Sequence, residues 1–318
     1  MTEFKPGKAN LEVFSETLME LAKKDKDIIV VTSDSRGSGK LVPFGEKFPD
    51  QIVEVGIAEQ NLVAVAAGLA AAGKKVFAVS PACFLTARAL EQIKNDVCYS
   101  DHPVKLIGIS AGVSYGALGS THHSLHDFAA LRAINNITVM APADNFETRE
   151  SIRAAAKMDH PVYIRFGKRA IEHLHKPDTD FNLGKAITIR EGEDVAFIAT
   201  GETVVQSLIA AEILKQKGIS CRVVSMHTIK PLDEAALFTS AKKCKAVITV
   251  EEHMVNGGLG EACASFLMQA GIMVPFKIIG IPDEYTSTGK QLDIYKDYGM
   301  MSEELSQTAM HLLKKNPN

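Results

Sequence analysis

Glu59 stands at the mouth of an almost wholly apolar segment, Val55-Gly56-Ile57-Ala58-Glu59-Gln60-Asn61-Leu62, which runs on through small residues to Gly73. A lone carboxyl group in such a place resists ionising, because desolvation disfavours the charged form. An acid poised to give and take a proton is catalytic equipment. The competing reading is a first-turn helix acid, favoured there by the helix dipole. A second concentration of chemistry is the glycine-rich stretch 110–127, which carries His122, His123, His126 and Asp127. Its glycines permit tight turns, and imidazoles are suited to proton traffic near neutral pH. Those four side chains also read as a metal cluster, and His123 and His126 as surface or capping residues. Ser124 with Asp127 three residues on resembles a helix start, which would leave His122 off the face that holds His126. Arg165 closes an apolar run; its guanidinium suits oxyanion recognition, with a structural ion pair as the alternative.

These residues need a scaffold that brings them together. Short β-branched runs at 28–32, 52–55, 75–79, 104–110, 137–141 and 162–165 read as strands. Helical patterns lie between them at 11–23, 59–72, 88–100 and 125–135, with another at 146–158. Asp144 and Glu147 give that last helix a capping-box start. Such alternation argues for a doubly wound α/β domain with a mostly parallel sheet. A polar stretch containing Pro177 follows, and then a second alternating unit with strands at 195–200, 221–225, 246–250 and 276–279. Its helices are expected at 204–216, 234–242, 259–270 and 303–314. The expected division is a first domain over 1–175, a linker over 176–192 and a smaller α/β domain over 193–318. Ligands in such sheets gather beyond the carboxyl ends of strands. Glu59, the loops after Val79 and Ile109, and Arg165 all fall there.

The segment from Gly56 to Gly73 resembles the pyrimidine-binding domain of transketolases, which carry a Gly-Ile-x-Glu-type motif at this strand-to-helix junction. The resemblance extends over most of the chain. The stretches Val224-Ser225-Met226-His227-Thr228-Ile229-Lys230-Pro231-Leu232-Asp233 and Val250-Glu251-Glu252-His253-Met254-Val255-Asn256-Gly257-Gly258-Leu259-Gly260 look like the family's C-terminal domain. The resemblance implies thiamine diphosphate as cofactor. It makes Glu59 the glutamate that hydrogen-bonds the aminopyrimidine ring, with Ile57 beside it, Phe84 the aromatic that stacks on that ring, and Asp34 a residue near the cofactor. Phe84 also reads as a plain core residue. The family's Gly-x-Thr-His matches Gly119-Ser120-Thr121-His122, so His122 becomes the imidazole that bonds the substrate oxygen. Ser38 and Arg165 match substrate-phosphate contacts. His227 and Glu252-His253 are expected to pack domains and subunits together.

Departures accompany the matches. Ala87 and Leu90 stand where the family often places further aromatics. Leu118 replaces an acceptor-binding aspartate, and Ser110 stands where many members have histidine, so donor and acceptor selectivity are expected to differ. The family's Gly-Asp-Gly, which holds magnesium and diphosphate, does not occur in the sequence. The resemblance therefore implies the C-terminal subunit of a split transketolase, active in an α2β2 assembly with a partner that holds the metal; no metal site is expected on this chain. The reaction implied is transfer of a two-carbon ketol unit from a ketose phosphate to an aldose. The alternatives are the β subunit of a 2-oxoacid dehydrogenase's decarboxylating component and a non-catalytic, partner-binding paralogue. A one-chain 1-deoxyxylulose-5-phosphate synthase is disfavoured by the missing diphosphate half.

Composition narrows the field. A net charge of −3 gives no electrostatic case for nucleic acid or anionic membrane. The longest apolar run is too short to span a bilayer, and residues 1–8 hold no apolar core of a signal peptide. The 5 cysteines are scattered, with no Cys-x-x-Cys, which fits reduced thiols in a cytoplasmic protein.

Overall fold

The strand Ile28–Thr32 is buried at all five positions. A run of β-branched residues buried on both faces belongs inside a parallel sheet. It pairs in parallel with Ile52–Glu54 on one side and Lys75–Pro81 on the other. The structure, a computed structural model, describes residues 4–176 and 178–315. Pro177, expected in the linker, and the extreme termini lie outside the described residues.

The first sheet has seven strands, in the order Thr228–Lys230, Thr138–Met140, Val162–Arg165, Lys105–Ile109, Lys75–Pro81, Ile28–Thr32, Ile52–Glu54. Successive side chains alternate between its faces. Phe77 and Val79 join a core with Phe14 and Leu18 of the helix Asn10–Ala22 and Ile152 of Asn145–Ala155. Val76 and Ala78 point to the other face, into a core with Leu62, Ala66, Ile93 and Phe128. The second sheet runs Phe276–Ile281, Ala246–Met254, Val195–Ala199, Cys221–Ser225, Ile187–Arg190. The helices Thr203–Lys215 and Ser302–Lys315 cover one face, and Glu234–Lys243 and Leu259–Gln269 the other. Among the described residues, no helix is long and apolar enough to cross a membrane.

Three differences from the sequence expectation have physical reasons. The helix expected at 88–100 is instead Ala82–Arg88, a short turn Leu90–Gln92 and a π-helical segment Ile93–Tyr99. Leu85, Ala89, Ile93 and Val97 are all buried. Their four-residue spacing drifts off one face of a 3.6-residue helix, and a wider turn restores it. Ile187–Arg190, inside the stretch expected to be linker, is an edge strand antiparallel to Cys221–Ser225. Thr228–Lys230, from the second half of the chain, pairs antiparallel with Thr138–Met140 and so extends the first sheet. Both of these strands are short edge elements, where burial writes only a weak alternation into the sequence.

Candidate active site

Gly56, in the left-handed region at φ 74°, turns the chain from strand Ile52–Glu54 toward the helix Glu59–Ala71. Glu54 ties this turn to its neighbour: its Oε1 accepts the N–H of Gly56 at 3.0 Å and that of Asp34 at 2.6 Å. Glu59 opens the helix and is 3% exposed. It is not the lone acid expected from the sequence. Arg88 donates from Nη1 to Glu59 Oε2 at 2.7 Å. Among the described residues, Oε1 of Glu59 has no hydrogen-bond partner.

Arg88 also lies over the Phe84 ring, 4.5 Å from its centroid, a cation–π contact. Phe84 meets the His122 ring edge-on at 5.3 Å, and Tyr115 meets the same ring edge-on at 5.4 Å. Lys168 Nζ lies 4.7 Å above Tyr115. His122 Nδ1 is 2.9 Å from the Thr121 hydroxyl, which restricts the imidazole's orientation and leaves Nε2 for another partner. Glu59, Arg88, Phe84, His122, Tyr115 and Lys168 thus form one connected row across the carboxyl ends of four strands. Glu59, Phe84 and His122 were legible in the sequence. Arg88 was legible in principle, since it lies four residues after Phe84 on the same helical face. Tyr115 and Lys168 follow from the loop path, which no local pattern encodes.

Other expected residues take different places. Arg165 is buried, not lining the row. Its Nη1 pairs with Asp127 Oδ1 at 2.8 Å, its Nη2 donates to the Glu252 carbonyl at 2.7 Å, and its guanidinium covers Phe128 at 3.9 Å. The structural ion pair is therefore the reading this geometry supports, because both terminal nitrogens already have partners and Phe128 covers one face of the group. Asp34, at φ 53°, and Ser38 are exposed on the loop after Ile28–Thr32. The Ser38 hydroxyl donates to the Ser35 carbonyl at 3.2 Å. Ile57 is 74% exposed, two residues from Glu59.

The four groups considered as a metal cluster diverge. His123 Nε2 faces the Gly116 carbonyl at 3.0 Å, and burial lowers its pKa. His126 faces the Thr86 hydroxyl at 3.2 Å. Asp127 takes Arg165 and accepts from the Tyr163 hydroxyl at 2.6 Å. In the second domain, His227 stacks on Phe181 at 4.6 Å, and the Glu252 carboxylate receives the Val113 N–H at 2.9 Å.

Two family models match the sequence. Residues 7–172 match the transketolase pyrimidine binding domain, and residues 184–305 match the transketolase C-terminal domain. The chain belongs to the transketolase family. Its two α/β domains with mostly parallel sheets are the family's architecture. A subunit of the apulose-4-phosphate transketolase of Phocaeicola vulgatus is 46% identical over 303 residues, 95% of this chain and 96% of that one. A 6-deoxy-6-sulfo-D-fructose transketolase subunit SqwH of Clostridium sp. (strain MSTE9) is 34% identical, covering 96% of this chain and 94% of the relative. Among solved structures, one described as a split gene transketolase, inactive beta4 tetramer, superposes with a TM-score of 0.88 at 35% identity, over 98% of this chain and 99% of that one. These relatives favour a transketolase subunit over the 2-oxoacid dehydrogenase alternative.

Proposed function

We propose that this chain is the C-terminal subunit of a split transketolase, which moves a two-carbon ketol unit from a ketose phosphate to an aldose together with a subunit that holds magnesium and diphosphate. The observation that carries this reading is the row from Glu59 through Phe84 to His122. It combines a buried carboxyl with a free oxygen, a half-buried aromatic ring and an imidazole within ring contact. That set fits the aminopyrimidine end of thiamine diphosphate. The relatives named as transketolase subunits, and the solved structure described as a split gene transketolase, support the division of the site between two chains.

When bound, the cofactor supplies the carbanion chemistry. The chain's own residues do the rest. Glu59 offers Oε1 to a ring nitrogen and holds or releases a proton there. Phe84 presents a face for stacking, worth roughly 0.5–1.5 kcal/mol beyond burial, with Ile57 as an apolar neighbour. His122 bonds the substrate oxygen through Nε2 and passes its proton. Asp34 and Ser38 edge the site from the adjacent loop. Lys168, exposed beside Tyr115, offers the substrate anion the cation that buried Arg165 does not. The apulose phosphate and sulfofructose in the relatives' names are anionic ketoses, in keeping with a cation at that place.

The assembly expected is α2β2, in the cytoplasm. Titration calorimetry tests the split site: the isolated chain shows no magnesium-dependent binding of thiamine diphosphate, and the mixture with the partner does. Tight binding by the chain alone contradicts the division.

A further inference from the structure

Away from the row, the second domain presses two carboxyl groups against the backbone of the first. Glu202 precedes the helix Thr203–Lys215, and Glu252 lies on the strand Ala246–Met254; each is 4% exposed. One side-chain amide joins them. Gln291 Nε2 donates to Glu202 Oε2 at 3.1 Å and to Glu252 Oε1 at 2.8 Å. Backbone crowds both groups: a Cβ at Gly112 would fall on the Glu252 carboxyl, and one at Gly167 on that of Glu202. The N–H that Glu252 receives belongs to Val113, in the loop 110–124 that carries Tyr115 and His122.

That loop has little regular structure to fix it. Ser110, Gly112, Gly116 and Gly119 all have positive φ, and its one helical element is the single turn Gly116–Leu118. A buried charged acceptor at its base therefore has leverage, because hydrogen bonds to charged groups are about twice as strong as neutral ones.

The groups facing the pair are Arg165, Arg169 and Tyr295. None of the three places a cation within ion-pair distance of either carboxyl among the described residues. Burial, and then the charge of Glu252, push Glu202 up to about 7. Burial raises Glu252 too, against the pull of Arg165. Burial thus works against ionisation of both carboxyls, and the charge of Glu252 adds to it at Glu202.

We propose that Glu252 is a positioning residue for the loop 110–124, and that Glu202, tied to it through the Gln291 amide, belongs to the same contact, so that the second domain sets the place of His122. The proposal rests on His122 serving the reaction, but its test does not need activity. Because burial in this domain contact raises the Glu202 acid, the contact, and with it the hold on the loop, is strongest below the ordinary value of 4.5 and weakens as pH rises through about 7.

Amide hydrogen exchange on the full chain, corrected for the intrinsic effect of pH, reads the Val113 amide directly. Wild type is expected to lose protection across that window by up to about tenfold per pH unit, the limit for one linked proton. Glu252→Ala is expected to lose protection across 110–124 at every pH, while the strand Val195–Ala199 stays protected. Glu202→Gln is expected to keep protection and show a shallower slope. Equal protection of Val113 in Glu252→Ala, or an unchanged slope in Glu202→Gln, overturns the proposal. If Glu252→Ala does not fold, the slope in Glu202→Gln decides alone.

Discussion

Arg88 Nη1 lies 2.7 Å from Glu59 Oε2, and the same guanidinium covers the Phe84 ring at 4.5 Å. One half-exposed side chain thus holds together the acid and the aromatic assigned to the cofactor's pyrimidine. Arg88→Ala removes both contacts. Because the arginine is half exposed, the expected cost is only about 0.5–1 kcal/mol, read as a lower Tm in calorimetry. An unchanged Tm would show that the contact contributes nothing to stability.

Glu59→Gln keeps the shape of the side chain and removes its proton. In the reconstituted complex, kcat is expected to fall by about 10²–10⁴-fold, the usual worth of a positioned acid–base group. A variant that keeps wild-type kcat takes Glu59 out of the proton-transfer role.

Lys168 and Arg165 are both cations near strand ends, yet the structure separates them. Lys168→Ala is expected to raise KM for a phosphorylated donor by roughly 10–100-fold, the worth of one lost charged hydrogen bond, with Tm unchanged. Arg165→Ala leaves Asp127 buried without its cation, at a cost of about 3–5 kcal/mol. It should therefore appear in urea denaturation before any kinetic effect. The reverse pattern would return the phosphate role to Arg165.

Much of this was legible in the sequence. The strands Ile28–Thr32, Val162–Arg165 and Cys221–Ser225 lie where their β-branched runs place them, because full burial leaves a continuous apolar signature. The Asp144 cap is where the Glu147 spacing puts it: Asp144 Oδ1 accepts the Glu147 N–H at 3.0 Å. What remained hidden depends on contacts far apart in sequence. Arg165 reads as an anion binder, with a structural ion pair as the alternative, and its Asp127 partner lies 38 residues away in sequence. Glu59 read as a lone acid because its partner lies 29 residues on.

His175 lies between two buried carboxylates, 3.1 Å from Asp144 and 3.1 Å from Glu147. Those neighbours overcome burial and push its pKa up to about 10. A raised histidine adds stability that is complete below its ordinary 6.5 and is lost as pH rises through about 10. Urea denaturation of wild type is expected to show lower stability at high pH than at pH 6, and His175→Asn to lack that part of the slope. Parallel slopes would mean the imidazole is not charged in the fold.

The central claim is that catalysis needs this chain and a separate diphosphate-binding subunit together. The most direct measurement is a coupled ketol-transfer assay with thiamine diphosphate, magnesium and a panel of ketose phosphate donors, run on this chain, on the partner and on the mixture. Turnover is expected in the mixture alone. Turnover by this chain by itself, or a mixture that decarboxylates a 2-oxoacid and transfers no ketol unit, contradicts it.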